Sequence, residues 1–131
     1  MPKVAVTFET VRRIGAGLPG LEEGTMYGTP ALKLGKSLVA CMAINKSAEP
    51  GSLVVRIGFD ERAALLEEEA ETYYLTDHYV NHPAVLVRLS RIQVDELRDL
   101  LGAARRFVLA EQSLKKPRAA ARAGQTRTNR K

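Results

Sequence analysis

Apolar residues recur along this chain with two different periods, and the places where the period changes mark out its elements. Phe8, Val11, Ile14 and Leu18 follow the helical repeat behind Thr7, a residue suited to cap a helix, and Pro19-Gly20 ends the run. Leu21 to Thr29 has no helical stripe; with Gly24 and Gly28 inside it, and Tyr27-Gly28-Thr29-Pro30 as a turn, it is a strand or a loop. Ala31 to Leu34 and Leu38 to Ile44 flank the short Gly35-Lys36-Ser37 connection, which predicts a first hairpin. A polar loop, Asn45 to Ser52, leads to Leu53, Val55 and Ile57, whose alternation predicts a third antiparallel strand. Asp60 is placed to cap a short second helix through Ala63 to Leu66, with Glu67-Glu68-Glu69 as its solvated end. Ala70 to Pro83, rich in Tyr and polar residues, is a loop that gives way to a strand carrying Val85, Val87 and Leu89. Val94, Leu97, Leu100, Leu101, Ala104 and Val108 then form the clearest helical stripe in the sequence.

This order predicts an α+β class: a single compact domain with an antiparallel sheet and flanking helices. The length of 131 residues agrees with one domain and a short appendage. Leu38 to Ile44 is the longest apolar run, far below the roughly 20 residues of a spanning helix, so no membrane partner is expected. The opening Met1 to Val6 does not supply the apolar stretch of a secretory leader, and the lone Cys41 has no partner for an intramolecular disulfide. A reducing cytoplasm is the expected compartment.

Charge changes this picture once it is split along the chain. The whole carries +5, but residues 1–110 hold thirteen Lys and Arg against fourteen Asp and Glu, whereas 111–131 hold seven against one. The basicity therefore belongs to the C-terminal segment. That segment has almost no large apolar residue, and its composition predicts a disordered basic tail over 111–131 behind a folded domain over 1–110.

Candidate chemistry is sparse. Gly35-Lys36-Ser37 lacks the earlier glycine of a phosphate-binding loop, because Pro30 stands there, and a strand rather than a helix follows it. Asp77, His78 and His82 could contribute to a metal site only with a further ligand that the sequence does not name; packing of the Tyr and His residues against the sheet is the favoured alternative, so no metal or cofactor is expected. Cys41, central in an apolar strand, reads as a small hydrophobe with a raised pKa, and no Gly-x-Ser-x-Gly elbow occurs, so an enzyme is not expected. Glu67 to Glu69 point about 100° apart on a helix and do not converge on one ion. Lys33, Arg56 and Arg88 fall on the strand phase opposite the aliphatic series. They are read either as a basic row on an open sheet face or as solvent-side residues paired with carboxylates such as Glu22 and Glu23. The tail offers Lys115, Lys116, Arg118 and Arg122 for phosphate contacts by charge alone, since no aromatic is interleaved to stack on bases.

Several ordered motifs resemble the MmcQ/YjbR family of small bacterial proteins. They are Thr7-Phe8-Glu9-Thr10-Val11-Arg12, Leu18 to Glu23, Tyr27-Gly28-Thr29-Pro30-Ala31, Gly58-Phe59-Asp60-Glu61-Arg62, Tyr79 to Pro83 followed by Val87-Arg88-Leu89, and Asp95 to Leu101. The resemblance covers about residues 5–110 and implies a frataxin-like or secretion-chaperone-like fold. It also implies DNA binding by a double-wing arrangement of hairpins, with Lys36 and Lys46 near the tips. The first functional expectation is thus weak, charge-driven DNA binding by these two lysines and the tail. The second is a domain that binds a protein or a small ligand on the open sheet face, lined by Tyr27, Arg56, Arg88, Tyr79 and His82.

Overall fold

The structure, a computed structural model, describes the backbone of residues 6–121 and the side chains of residues 6–114. Its elements in chain order are α1 (Phe8–Ala16), β1 (Leu21–Met26), β2 (Thr29–Leu34), β3 (Ser37–Met42), β4 (Ser52–Arg56), α2 (Phe59–Glu68), β5 (Tyr73–Tyr74), β6 (Ala84–Arg88) and α3 (Val94–Ala121). The expected α+β domain is what forms. Six strands build one sheet in the order β1-β2-β3-β4-β6-β5, every neighbouring pair antiparallel, and α1 and α3 pack on one of its faces.

Local chemistry accounts for the element ends. Thr7 caps α1: its Oγ1 accepts from the Glu9 N–H at 3.2 Å, and Thr10 Oγ1 accepts the Thr7 N–H at 3.3 Å. α2 starts two residues earlier than a cap at Asp60 predicts, with Gly58 as the N-cap and Asp60 already inside the helix. β1 and β2 are joined by the two-residue turn Tyr27-Gly28, with φ of 55° and 77°, so the hairpin across Gly35-Lys36 is the second rather than the first.

The core lies between the sheet and the two helices. Leu32, Leu53, Val55, Val85 and Val87 meet Val11 of α1 and Leu97, Leu101, Ala104 and Val108 of α3, all essentially without solvent exposure. A bulge opposite Leu32 and Lys33 places an extra residue in β3, so both Val39 and Ala40 face this core. Past Val108 the apolar stripe stops but the helix does not; the boundary expected at residue 110 falls inside α3, which continues to Ala121. Two contacts anchor the start of this extension: Glu111 receives Arg56 Nη2 at 2.7 Å, and Gln112 Nε2 donates to the Leu34 carbonyl at 2.7 Å. The first part of the expected tail, 111–121, is thus described as helical backbone, and 122–131 lie outside the described residues.

At the far end of α2, Glu69 shares a hydrogen bond with Glu96 of α3, which also accepts the buried Tyr73 hydroxyl at 2.8 Å. That shared bond, with burial and the neighbouring Glu charges, holds the Glu69 carboxyl above its ordinary value. A raised folded-state value means that the folded chain binds the proton more tightly, so stability falls as pH rises through the interval above the ordinary Glu range. Glu69→Gln keeps a donor for Glu96 and removes the repulsion. It is expected to add about 0.5 kcal/mol at neutral pH, a figure kept small because the site is solvent-screened, and nothing below the ordinary Glu range. Urea melts at both pH values check this; an equal effect at the two would refute the shared proton.

Candidate functional site

The sheet face away from α1 and α3 is not open as expected. Ala31, Cys41, Val54, Ala84 and Leu86 form a second apolar layer there, and two loops, 43–51 and 75–83, cover part of it through Ala48 and Tyr79. Polar contacts stitch the two loops together and to the sheet. Ser47 Oγ and Thr76 Oγ1 are 2.8 Å apart, while the Tyr74 hydroxyl accepts the Glu49 N–H at 2.7 Å and lies 2.5 Å from Ser52 Oγ. Successive turns, Tyr79 N–H to Thr76 carbonyl and His82 N–H to Tyr79 carbonyl, shape the second loop.

Between these loops and the β1–β2 turn runs a groove of about 810 Å³. Its floor is Leu38, Cys41, Val54 and Ala84, its walls include Tyr79 and Pro83, and its mouth carries Tyr27, Ile44 and Lys46 at one end and Arg56 and His82 at the other. Tyr27 is 81% exposed and Ile44 58%, unusual values for side chains of this size. His78 stacks edge-on against Tyr79 with ring centres 4.7 Å apart. Burial pushes the Cys41 thiol up to about 11 and, together with Cys41 and Tyr74, raises the Tyr79 hydroxyl. Cys41 is thus a floor atom rather than a nucleophile.

The structure brings together Tyr27, Lys46, Arg56, Tyr79 and His82 from the expected set but separates the rest. Arg88 is not on the groove. Its Nε and Nη2 donate to the two Glu49 carboxylate oxygens at 2.9 and 2.8 Å, its Nη1 to the carbonyls of Ala70 and Glu71, and it stacks 4.3 Å from the Tyr74 ring centre. With Glu49 it lines a smaller cleft of about 490 Å³ near Val6 and Phe8. Nor do Lys33, Arg56 and Arg88 form a row: Ser52 pairs with Arg88 and Arg56 with Ala84, so the two arginines stand at opposite ends of one ladder. Their carboxylate partners are Glu49 and Glu111, not Glu22 or Glu23, and Glu23 pairs with Arg12 instead.

Lys36 and Lys46 are likewise divided. One precedes β3 and the other follows it, which puts them at opposite ends of a strand about 17 Å long at roughly 3.3 Å per residue. Lys36 sits on a two-residue turn held to α3 through Gln112, which also reaches Ser37 Oγ at 3.1 Å, so it is not the tip of a free wing. Lys115, Lys116 and Arg118 fall on helical backbone of α3, and Arg122 lies outside the described residues. Among the described residues no three His, Cys, Asp or Glu side chains converge as a metal site needs. No described helix is long and apolar enough to cross a membrane.

Arg62 is the functional-region residue that sequence reasoning missed. It is buried on α2 with no carboxylate partner among the described residues, and its guanidinium donates to the carbonyls of Val80, His82 and Ala84 at 3.1, 2.8 and 3.2 Å while lying 4.7 Å from the Phe59 ring centre. It fixes the backbone that presents His82, Pro83 and Ala84 to the groove.

Comparison with known proteins places this geometry among molecules whose names state no activity. An uncharacterized protein of Mycobacterium tuberculosis, Rv2570, is 34% identical over 110 residues, covering 72% of this chain and 82% of its own length. Mb2600 of Mycobacterium bovis, also uncharacterized, matches to the same extent. No family model matches the chain. A crystal structure of Deinococcus radiodurans DR2400, a DUF419 domain, superposes with a TM-score of 0.64 over 84% of this chain and 88% of that one; at 20% identity it shares the fold.

Proposed function

For this chain, which belongs to the family of the uncharacterized mycobacterial proteins Rv2570 and Mb2600, we propose a non-enzymatic binding function in the cytoplasm, exercised through the groove on the loop-covered sheet face. The observation that carries the proposal is the groove itself: about 810 Å³, within the range of small-ligand sites, with an apolar floor and convergent polar groups at its rim. The order of motifs along the chain supports a place in the MmcQ/YjbR family, whose DNA-binding label is the competing reading. Separation of Lys36 from Lys46 by the length of β3 favours the groove over a paired-wing contact with DNA.

Tyr27 adds support. It adopts a left-handed φ of 55°, a conformation that costs a bulky side chain about 1 kcal/mol and that Asn or Gly adopts more readily. Strain of this kind accumulates where a side chain is held for contact rather than for stability. Tyr27→Asn is expected to raise stability by about 0.5–1 kcal/mol while weakening groove binding.

Titration of the full chain with Nile red, a neutral apolar probe, tests the proposal. Saturable fluorescence is expected, reduced at least about fivefold in Ile44→Asp and unchanged in Lys36→Glu, which lies off the groove. If the probe fails to bind while duplex DNA binds with a steep salt dependence that Lys36→Glu and Lys46→Glu both weaken, the DNA reading replaces this one.

A further inference from the structure

The groove's lining has a one-sided charge. Lys46 and Arg56 are on its rim with His78 and His82, and among the described residues no Asp or Glu side chain lines it. Arg56 is already neutralised by Glu111 at 2.7 Å, whereas Lys46 is exposed and forms no ion pair among the described residues. Each imidazole offers at least one N–H in any protonation state, so the rim is rich in donors for an acceptor-only group. Beneath it the floor, with Leu38 and Val54, is apolar and offers no charged group. A ligand that satisfies both layers carries an extended hydrocarbon body and an anionic oxygen head.

Resting on the groove reading above, we propose that the ligand is an amphiphilic carboxylate, its hydrocarbon chain lying along the Leu38–Val54 floor and its carboxylate held at the Lys46 end. The volume suits one small molecule rather than a membrane surface or a polymer. A cationic amphiphile of the same length would meet the Lys46 ammonium with like charge, and the carboxylate beside Arg56, that of Glu111, is already taken by the guanidinium.

Isothermal titration of the full chain with decanoate, decanol and decyltrimethylammonium tests this, because the three share a chain and differ in the head. Decanoate is expected to bind most tightly and the cation least, and Lys46→Glu to weaken decanoate about three- to tenfold while leaving decanol unchanged. Lys46 is exposed and bonded to no other described side chain, so this variant leaves the fold intact. Equal affinity for decanoate and the cation, or a Lys46→Glu variant that binds decanoate like the parent, overturns the carboxylate assignment and leaves the groove standing. Absence of binding by all three overturns the groove reading itself.

Discussion

Arg62→Ala is expected to lower the folding free energy by about 3 kcal/mol and to loosen the groove wall at 80–84. Two opposing effects set this figure. Removing the guanidinium relieves the cost of burying a cation that has no carboxylate beside it among the described residues. Against that, three carbonyls lose their donor. Those of Val80 and His82 lie at a solvent-facing loop and rehydrate, but the bond to the Ala84 carbonyl is buried, and that oxygen is left without its arginine donor. The contact with the Phe59 ring and the packing of the aliphatic stem disappear as well. Loss exceeds relief because both the hydrogen bonds and the packing go together. Arg62→Met retains the stem and should recover about 1 kcal/mol of the deficit. Arg62→Lys retains the charge but concentrates its donors on one nitrogen, which cannot reach three carbonyls spread across five residues, so it should recover little. Urea unfolding gives the stability of each variant, and amide hydrogen exchange at 80–84 reports the loop. A loss below about 1 kcal/mol for Arg62→Ala would mean that the loop is held by other contacts.

Arg62 also illustrates what a sequence conceals. Its partners are backbone oxygens, which every residue possesses, so no side-chain pattern announces the interaction. The core, by contrast, is written in periodicity. Leu97, Leu101, Ala104 and Val108 repeat at helical spacing and are all buried, and Val85 and Val87 alternate with residues of the opposite face. Thr7 announced the start of α1 because a cap is a local hydrogen bond. Strand phase put Arg56 opposite the aliphatic series of β4, yet from the end of that strand its guanidinium reaches Glu111 and Phe107 of α3, and phase assigns no position along the strand. That is why phase alone admits a row of Arg56 and Arg88 as one of its two readings, although they stand at opposite ends of the β4–β6 ladder. The splitting of Lys36 from Lys46 was legible in principle, since both flank one strand and a strand is extended. Packing of the Tyr-rich loop on the sheet was legible, and Tyr74 and Tyr79 do lie on the second apolar layer, but the cover by 43–51 was not, because it depends on contacts such as Ser47 with Thr76 and Glu49 with Arg88, 29 and 39 residues apart. For the same reason the course of the helix past residue 110 was hidden: the buried apolar stripe ends at Val108, and the contacts anchoring Glu111 and Gln112 reach back 55 and 78 residues.

The Gly15 position reverses an ordinary rule about helices. Replacing a helical glycine by alanine usually stabilises by about 0.5–1 kcal/mol, since the unfolded chain loses freedom and the helix gains a better former. Gly15 is buried in the last turn of α1, and a Cβ placed on it would come within 2.8 Å of both Leu32 terminal methyls and 3.4 Å of Leu32 Cγ. Leu32 is 1% exposed within the core between the sheet and the helices, so its methyls have little room to swing away. Overpacking of this kind costs about 1–3 kcal/mol, which exceeds the propensity gain. Gly15→Ala is therefore expected to destabilise by about 1 kcal/mol, and Gly15→Val, with two more carbons and a stiff χ1, by about 3 kcal/mol. The steric origin has its own signature. In a Leu32→Ala background the clash is gone, so Gly15→Ala should become neutral or stabilising, and a double-mutant cycle should show coupling of about 1–2 kcal/mol. Thermal or urea melts of the four chains decide the matter. A Gly15→Ala variant at least as stable as the parent would show that α1 can lift from β2 at little cost, and that the close approach of helix and strand at this point contributes little to holding the sheet beneath the groove.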